Sequence, residues 1–343
     1  MIRKPGVWLL VLIAAATSVA QDDVRTQKTN GISLKLPRGW EWAVRAGDNI
    51  GVKIKLQIGT RDEEITGEMF CTSGAYVGTR VEELTGAAKT NPADHKSFAV
   101  KESQRFGSQR NVALVTYVKE RGSDPVRLYQ RRHWIFRKGT ILYEWREEWP
   151  RKAAGKAAGL SSVQKAIKFS TPQGAEQPDK QRDFVNQRVR YKVAPDWIWS
   201  RGKPGKKVKL GIGQNSNDLL FTARSEMLVK GQRWYLGVGL QAIKTSNTVK
   251  QVAEFNKNSI LKNWTDVKGY VFEDRVPFCG EKAHMITFTG VNEKTGTKER
   301  LFVRYFYFKH KGHVFVWDEL GAARGKKAAV RALKKARKGL KTY

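Results

Sequence analysis

Two short stretches, LPRGWEW at residues 36–42 and VAPDWIW at residues 193–199, decide the fold of this 343-residue chain. Each follows an alternating strand and carries a proline and a Trp-x-Trp pair. Outward from each stretch lie an alternating strand, a helix, a meander of aromatic strands turning at Lys-Gly (138–139 and 311–312), and a basic, alanine-rich helix. One order of features that occurs twice indicates one structural unit used twice.

The repeat also sets the domain boundaries. It predicts a first domain over residues 31–170 and a second over residues 187–343. Residues 171–186 are polar and hold two prolines, which is typical of an inter-domain linker. Residues 21–30 are polar as well, and we expect a loose tail there. The length of the chain suits two domains that each bury a core.

Hydrophobic periodicity predicts the fold class. Residues 52–58 alternate between apolar and cationic or polar side chains, as in a half-buried strand. Residues 301–308 are apolar on both faces, so that strand needs a layer on each side. With helices before and after the meander, the sequence predicts an α+β fold of two tandem domains, each an antiparallel sheet flanked by helices.

At this level the halves resemble a known family. The stretch 36–40, a central helix, a hairpin meander and a terminal helix ending in IKFS (167–170) resemble the PsbP-like family, which includes the extrinsic photosystem II subunit and secreted bacterial relatives. The second half departs from this pattern at Pro195-Asp196-Trp197 and lacks the Phe-Ser ending. The resemblance implies a PsbP-like fold in each half and a mostly non-enzymatic role in partner binding or in the envelope.

The N-terminus has the features of a secretory signal peptide. Arg3 and Lys4 precede an apolar run, Val7 to Ala16, and a small-residue site ends at Ala20. This pattern predicts cleavage after Ala20 and a secreted or periplasmic mature protein. The run is too short for a transmembrane helix, and no later segment is apolar enough to span a bilayer. An uncleaved N-terminal anchor is the alternative.

The charge of the chain restricts its partners. It has 64 Lys and Arg against 32 Asp and Glu, a formal net charge of +32. Such a field attracts nucleic acid, anionic polysaccharide, acidic lipid or acidic protein. The predicted export of the protein disfavours intracellular nucleic acid as its partner. A high charge can also serve solubility alone.

The last helix is the densest basic segment. An apolar stripe of Ala329, Leu333, Ala336 and Leu340 recurs at helical spacing, and no acid follows Glu319. We expect the stripe to pack on the sheet and the basic face to bind a polyanion. Its candidate binding residues are Lys327, Arg331, Lys334, Lys335, Arg337, Lys338 and Lys341. The next densest basic positions are Lys53, Lys55, Lys206, Lys207 and Lys209.

Residue patterns that could carry catalysis are weak. Glu144, Glu147 and Glu148 lie near two tryptophans, as in some carbohydrate clefts, but neighbouring arginines can neutralise them. His310 and His313 flank one turn, and two imidazoles without further ligands nearby do not make a metal site. The sequence therefore predicts no catalytic residue, metal or cofactor.

Two further features allow two interpretations each. Residues 131–138 interleave basic and aromatic side chains, which suits either a base-stacking platform or aromatics facing the core; the alternation favours the core. Cys71 and Cys279 are the two cysteines, and outside the cytosol a pair often forms a disulfide. Two separate buried thiols are the alternative.

Together these features predict a secreted or periplasmic, non-enzymatic binding protein. Its basic surface would bind an anionic envelope polymer, a membrane surface or an acidic partner protein. An extracellular nucleic-acid-binding protein is one alternative. A hydrolase with a cleft between the two halves is another.

Overall fold

A computed structural model describes residues 24–43, 50–122, 126–170, 181–194, 196–201, 217–292 and 299–343. The predicted signal peptide (1–20), the first part of the predicted linker (171–180) and Lys206, Lys207 and Lys209 lie outside these ranges. Within them, no helix combines the length and the apolar character that crossing a membrane requires.

The first domain consists of a seven-stranded and a three-stranded antiparallel sheet. The large sheet has the order β3-β4-β5-β9-β8-β7-β6, and the small one β1-β2-β10. The strands are β1 (Val24–Gln27), β2 (Ile32–Lys35), β3 (Glu41–Trp42), β4 (Ile50–Ile58), β5 (Arg61–Ser73), β6 (Lys96–Phe106), β7 (Gln109–Arg121), β8 (Arg127–Lys138), β9 (Ile141–Pro150) and β10 (Ile167–Phe169). The helices are α1 (Val77–Thr90), α2 (Ala154–Ala157) and α3 (Leu160–Ala166), with 3-10 turns at Ala93–His95 and Arg151–Ala153.

The second domain repeats this plan. Its large sheet has the order β13-β14-β15-β19-β18-β17-β16, and its small sheet β11-β12-β20. The strands are β11 (Gln181–Phe184), β12 (Val189–Lys192), β13 (Ile198–Arg201), β14 (Asn217–Val229), β15 (Gln232–Ile243), β16 (Thr265–Phe278), β17 (Glu281–Val291), β18 (Leu301–His310), β19 (His313–Ala322) and β20 (Leu340–Thr342). The helices are α4 (Val249–Asn263) and α5 (Lys326–Arg337), with a 3-10 turn at Val185–Gln187.

The two sheets have the same strand order in the same chain order. The predicted fold class, two tandem α+β domains with antiparallel sheets, is therefore confirmed. In each domain the large sheet is the middle layer. One face carries a single helix, α1 or α4, and the other carries the small sheet with α2 and α3, or with α5.

Strand β18 shows why both faces must be covered. Phe302, Phe306 and Phe308 point into the core under α5, whereas Val303 and Tyr307 point into the core under α4. All five side chains are buried. A strand with two apolar faces is stable only between two layers, as its sequence predicts.

The repeated tryptophan turns close one end of each domain. Trp40 and Trp197 are only 7% and 5% exposed and belong to the cores of their respective domains. The residue before each tryptophan has a left-handed backbone, with φ +84° at Gly39 and +65° at Asp196. Glycine adopts this conformation freely, and aspartate is among the few other residues that tolerate it.

Three segments differ from the sequence interpretation. Residues 24–27 of the expected polar tail form β1, and residues 181–184 of the expected linker form β11. Each pairs with the first core strand of its domain, β2 or β12, because backbone pairing needs no apolar side chains. Leu340 also lies outside the last helix, since the chain leaves α5 at Arg337 and forms β20.

Candidate functional site

Helix α5 presents the predicted basic surface to solvent. Ala329, Leu333 and Ala336 are fully buried against the sheet. The cations on the other sides of the helix are exposed. We use the name α5 basic face for six exposed cations of α5, its C-cap residue and β20, which are Lys327, Arg331, Lys334, Lys335, Lys338 and Lys341.

The α5 basic face lacks neutralising partners. Among the described residues, no carboxylate forms an ion pair with any of its six side chains, although pairs are common elsewhere on the protein. The first turn of α5 also has no acidic residue. The positive potential of this surface is therefore not cancelled locally.

Arg337 has a different environment from the other candidate binding residues. Its Nε and Nη2 donate to the two carboxylate oxygens of Glu319, each at 2.8 Å, and Glu319 is fully buried. Trp317 Nε1 also donates to Glu319, at 3.0 Å. The Arg337 guanidinium lies 4.2 Å from the centre of the Phe306 ring. Arg337 thus attaches α5 to its sheet, and we remove it from the ligand-contacting set.

The first domain has a neutral version of this attachment. Trp145 Nε1 donates to Glu147 at 2.9 Å, just as Trp317 donates to Glu319. Gln164 of α3 donates to Glu147 where Arg337 of α5 donates to Glu319. Burial raises the pKa of Glu147, with the hydrogen bonds from Gln164, Trp134 and Trp145 opposing it. Both Trp-x-Glu pairs fix a helix to the sheet, so Glu147 has a structural role.

Glu144 is also engaged within the protein. It accepts hydrogen bonds from His133 Nδ1 at 2.6 Å, Arg80 Nε at 2.8 Å and Arg146 Nε at 2.7 Å. His133 Nε2 lies 3.1 Å from the Tyr117 hydroxyl, which donates to it when the imidazole is neutral. Burial alone would raise the pKa of Glu144, but the three donors hold it well below its ordinary value. A carboxylate that stays ionised cannot act as a general acid.

The third glutamate of this group is paired as well. Glu148 binds Arg131 and, at 2.5 Å, Arg121. Within the segment 131–138, His133, Ile135 and Phe136 are buried, and Trp134 donates to Glu147 at 3.1 Å. Its aromatic side chains face the interior, as the alternation indicates, and offer no stacking platform.

The histidine pair does not assemble a metal site. His310 Nδ1 lies 2.8 Å from Glu281, and its Nε2 lies 3.2 Å from the carbonyl oxygen of Tyr343. Over the part of the chain that the structure describes, no group of three or more His, Cys, Asp and Glu side chains is placed to hold a metal ion.

The two cysteines are free thiols. Cys71 lies on β5 of the first domain, and Cys279 lies at the β16–β17 turn of the second. Burial raises the pKa of Cys71 to about 12 and that of Cys279 to about 11. In this structure the two thiols are unpaired and half-buried. Their raised pKa values do not favour the thiolate that a nucleophile requires.

Sequence reasoning missed the contact between the domains. Glu226 of β14 accepts a hydrogen bond from the backbone N–H of Gly78, at 2.7 Å, in the first turn of α1. Arg233 of β15 donates to Glu102 at 2.8 Å and to the carbonyl oxygen of Asn111 at 2.6 Å. The Tyr235 hydroxyl lies 2.8 Å from Thr79 Oγ1. These partners are more than 100 residues apart in sequence, so no local pattern could reveal them.

A second inter-domain contact involves the tryptophan turn of the second domain. The side-chain carboxylate of Asp196 accepts a hydrogen bond from the backbone N–H of Gly139 at 3.1 Å. The backbone carbonyl oxygen of Asp196 accepts a hydrogen bond from the Arg137 side chain. The left-handed aspartate that replaces Gly39 of the first repeat therefore supplies a side chain to the partner domain.

The pocket between the domains is small and acidic. It has a volume of about 260 Å³, and its lining includes Glu82, Glu102, Glu226, Glu299 and Arg233. Glu102 and Glu226 are the less exposed of these glutamates, and both bind Arg233. Burial raises the pKa of Glu226 against the opposing effects of Gly78 and Arg233. These two carboxylates join the domains through Arg233.

Comparison with known proteins gives distant structural similarity only. No protein-family model matches this chain, and no curated protein matches it. The chain is similar to a solved PsbP structure. This PsbP protein, from the cyanobacterium Synechocystis, is 11% identical, with 51% of this chain and 98% of that chain covered and a TM-score of 0.32.

Two other solved structures are similar at the same level. LpqN, described as involved in cell envelope biogenesis of Mycobacterium tuberculosis, is 11% identical, with 49% of this chain and 87% of that chain covered and a TM-score of 0.30. A protein from Bacteroides thetaiotaomicron is 14% identical, with 48% of this chain but only 55% of that chain covered and a TM-score of 0.29. Because these TM-scores are below 0.5, we transfer no function from those proteins.

Proposed function

We propose that this protein is an exported, non-enzymatic binding protein whose α5 basic face binds an anionic polymer of the cell envelope. The observation that supports this proposal is the set of six exposed cations of the α5 basic face, for which the described part of the chain supplies no acidic ion-pair partner. Their helix is fixed to the sheet by the Arg337–Glu319 pair and a buried apolar stripe. A rigid, uncompensated row of cations suits a partner with repeated negative charges.

The spacing of the cations favours a polymer over a single small anion. Lys327 and Lys338 are eleven residues apart on the helix, a distance of roughly 17 Å at 1.5 Å per residue. One carboxylate or phosphate cannot bridge that length, whereas a chain of regularly spaced anionic groups can. Binding would release counterions condensed on the polymer, and its affinity would fall as salt rises.

The test is binding of the chain from residue 21 to heparin, as a model anionic polysaccharide, over a series of salt concentrations. We expect replacement of Arg331, Lys334, Lys335 and Lys338 by Gln to weaken binding and to flatten its salt dependence, since four cationic contacts are lost. A matched control replaces Lys89, Lys230, Lys244 and Lys262, which are exposed lysines outside α5, and keeps the same net charge. The control should retain most of the affinity.

The same titrations distinguish the alternatives. If both variants bind equally, the net charge and not the α5 basic face determines binding. Stronger binding to single-stranded DNA than to heparin at equal charge would favour the extracellular nucleic-acid alternative, and binding to anionic vesicles alone would favour a membrane surface. Salt-independent affinity would contradict the proposal.

A further inference from the structure

The first domain has an open pocket at the edge of its large sheet, far from α5 in sequence. The pocket has a volume of about 430 Å³ and lies between the β4–β5 turn, the start of β8 and the end of β9. This volume falls within the range of about 300–1,000 Å³ that is typical of small-molecule sites. No contact described for the α5 basic face involves it.

The walls of this pocket are apolar. Ile58, Val126, Leu128 and Pro150 contribute to the lining. Val126 is 51% exposed and Leu128 is 36% exposed, and both are among the few large hydrophobic side chains that the described part of the protein leaves in contact with water. Apolar side chains exposed inside a concave surface are typical of ligand-binding grooves.

The rim of the pocket is cationic. Arg61, Arg127, Arg151 and Lys152 line it together with one carboxylate, Glu63. Arg127 donates to Glu63 at 3.0 Å, and the Tyr129 hydroxyl also donates to it. Burial favours the protonated form, but the Tyr129 and Arg127 hydrogen bonds lower the pKa of Glu63 below its ordinary value. Glu63 pairs with Arg127 and is also close enough to Arg61 to interact with it electrostatically. Four cations of the lining therefore share one carboxylate, and within the described residues neither Arg151 nor Lys152 forms an ion pair.

In the second domain, the residue equivalent to Ile58 has a different environment. Val229 ends β14 just as Ile58 ends β4, each before a two-residue turn. Val229 packs so closely on Gly325 that a β-carbon there would lie 2.9 Å from Val229 Cγ2. Ile58 instead faces the pocket. The ends of β4 and β14 therefore have different surroundings, although the two strands are equivalent in the shared fold.

We propose that this pocket binds an amphipathic anion, a molecule with one negatively charged head group and an unbranched apolar chain. The chain would lie against Ile58, Val126 and Leu128. The head group would lie at Arg61, Arg151 and Lys152. Either half of such a ligand should bind less tightly than the whole, because a bare anion leaves the apolar wall in water and a neutral chain leaves the cations without an anionic partner. This proposal is independent of the polymer proposed for the α5 basic face.

The experiment is a calorimetric titration of the chain from residue 21 with decanoate, decyl phosphate, decanol, acetate and inorganic phosphate. We expect decanoate and decyl phosphate to bind with one molecule per chain. We expect decanol to bind about tenfold more weakly, since it cannot pair with the cations, and acetate and phosphate to show no saturable binding at the pocket. A carboxylate and a phosphate head are distinguished by which of the two decyl ligands binds more tightly.

Two variants locate the site. Combined replacement of Arg61, Arg151 and Lys152 by Gln should reduce decanoate affinity about tenfold, to the level of decanol. Leu128→Glu places a carboxylate against the apolar wall and should abolish saturable binding of decanoate. Heparin binding should be unchanged in both variants. The matched control replaces Lys89, Lys230 and Lys244, and thermal unfolding confirms that each variant is folded.

Three results would overturn the assignment. Equal affinity for decanol and decanoate would mean that the cations do not contribute. Acetate or phosphate binding as tightly as decanoate would mean that the apolar wall does not. Decanoate affinity unchanged in both folded variants would place the ligand elsewhere on the protein.

Discussion

At the end of α5, Arg337 and Lys338 are neighbours in sequence with opposite environments. The helical period correctly places Ala329, Leu333 and Ala336 in the core, because a 3.6-residue repeat identifies the buried face. It does not separate Arg337 from Lys338. That distinction depends on Glu319, which lies on strand β19 and is fully buried in the folded sheet. The burial of an acid by tertiary packing cannot be deduced from helix periodicity.

The first prediction compares these neighbours. Arg337→Gln removes the nearer of the two arginines that pair with buried Glu319, because Arg304 Nη1 remains 3.5 Å from its Oε2. We expect the free energy of unfolding to fall by about 1.5–3 kcal/mol, the usual contribution of a hydrogen bond to a charged group. Lys338→Gln is exposed and should change it by less than about 0.5 kcal/mol. Urea unfolding of both variants measures the difference. Equal effects would contradict the structural role of Arg337.

The second prediction concerns the pH dependence of the first domain. Burial, with Arg146 and Arg80 nearby, lowers the pKa of His133 below its ordinary 6.5. Hydrogen bonds from His133, Arg146 and Arg80 outweigh burial and lower the pKa of Glu144 below its ordinary 4.5. The unfolded chain therefore binds more protons than the folded chain in acid. Stability should be complete near neutral pH and fall as the pH drops below about 6.5, and then further below about 4.5.

Urea unfolding at a series of pH values between neutral and about 4 measures this slope. His133→Asn removes the upper titration and should flatten the change above about pH 5.5. His313→Asn, at an exposed turn of the other domain, is the control. An unchanged slope in His133→Asn would assign the acid sensitivity to other groups.

At the level of elements, the two helices that cover the sheets begin in different ways. Helix α4 caps itself through Thr248 Oγ1, which accepts from the backbone N–H of Gln251 at 3.2 Å, and the Gln251 side chain accepts from Thr248 N–H at 2.8 Å. Helix α1 follows Tyr76, whose side chain makes no capping bond. Glu226 of the other domain supplies an acceptor to its first turn. A capping box is visible in sequence, whereas a cap from a distant strand is not.

The third prediction follows from this difference. Glu226→Ala should raise the hydrogen-exchange rate in the first turn of α1, because the Gly78 amide loses its acceptor. Thr248→Ala should lower the free energy of unfolding by about 0.5–2 kcal/mol, the usual cost of losing an N-cap, without affecting α1. Glu226→Gln keeps an acceptor oxygen and should protect Gly78 better than Glu226→Ala. Equal exchange in these two Glu226 variants would exclude the cap.

The core strands were predicted better than the short polar segments that precede each domain. Strands such as β4 and β18 can be identified from alternating or two-faced apolar patterns. Successive side chains of a strand point to opposite faces, so the pattern shows which faces are buried. Strands β1 and β11 are short and mostly exposed, and their formation depends on pairing with β2 and β12. Their polar composition therefore predicted a loose tail and a linker, whereas the structure has backbone-paired strands at these positions.

At the scale of the whole molecule, the domains are joined by polar contacts. Arg233 binds both carboxylate oxygens of Glu102, and its side chain is only 11% exposed. The contact also includes the rings of Tyr76 and Tyr235, whose centroids are 5.3 Å apart. Because the Arg233–Glu102 pair is largely shielded from solvent, salt should weaken it less than it weakens an exposed ion pair. The repeated order of motifs in the sequence predicted the duplication. It could not predict the geometry of the contact between the domains, the joint, because that contact combines residues from both repeats.

The fourth prediction tests the joint. A specific protease site inserted between residues 171 and 180 should allow cleavage into two domains that still elute together at low salt. Arg233→Ala should release them, because Glu102 and Glu226 would then lie together without their shared cation. Arg190→Ala, in the same domain and away from the joint, is the control. Separation of the two cleaved domains at low salt without any substitution would show that only the linker holds them together.

The contact between α1 and the β14–β15 hairpin joins two similar units through dissimilar surfaces, and such a contact can in principle propagate into a filament. The hairpin of the first domain does not carry the same surface. Its register places Lys55, Asp62 and Glu64 at the positions of Glu226, Arg233 and Tyr235. A lysine at the position of Glu226 would be repelled by the N-terminus of a helix. The charges of the β14–β15 hairpin therefore favour its contact with α1 within one molecule. The different charges of the β4–β5 hairpin oppose a similar contact with a helix of a second molecule, and so oppose end-to-end growth.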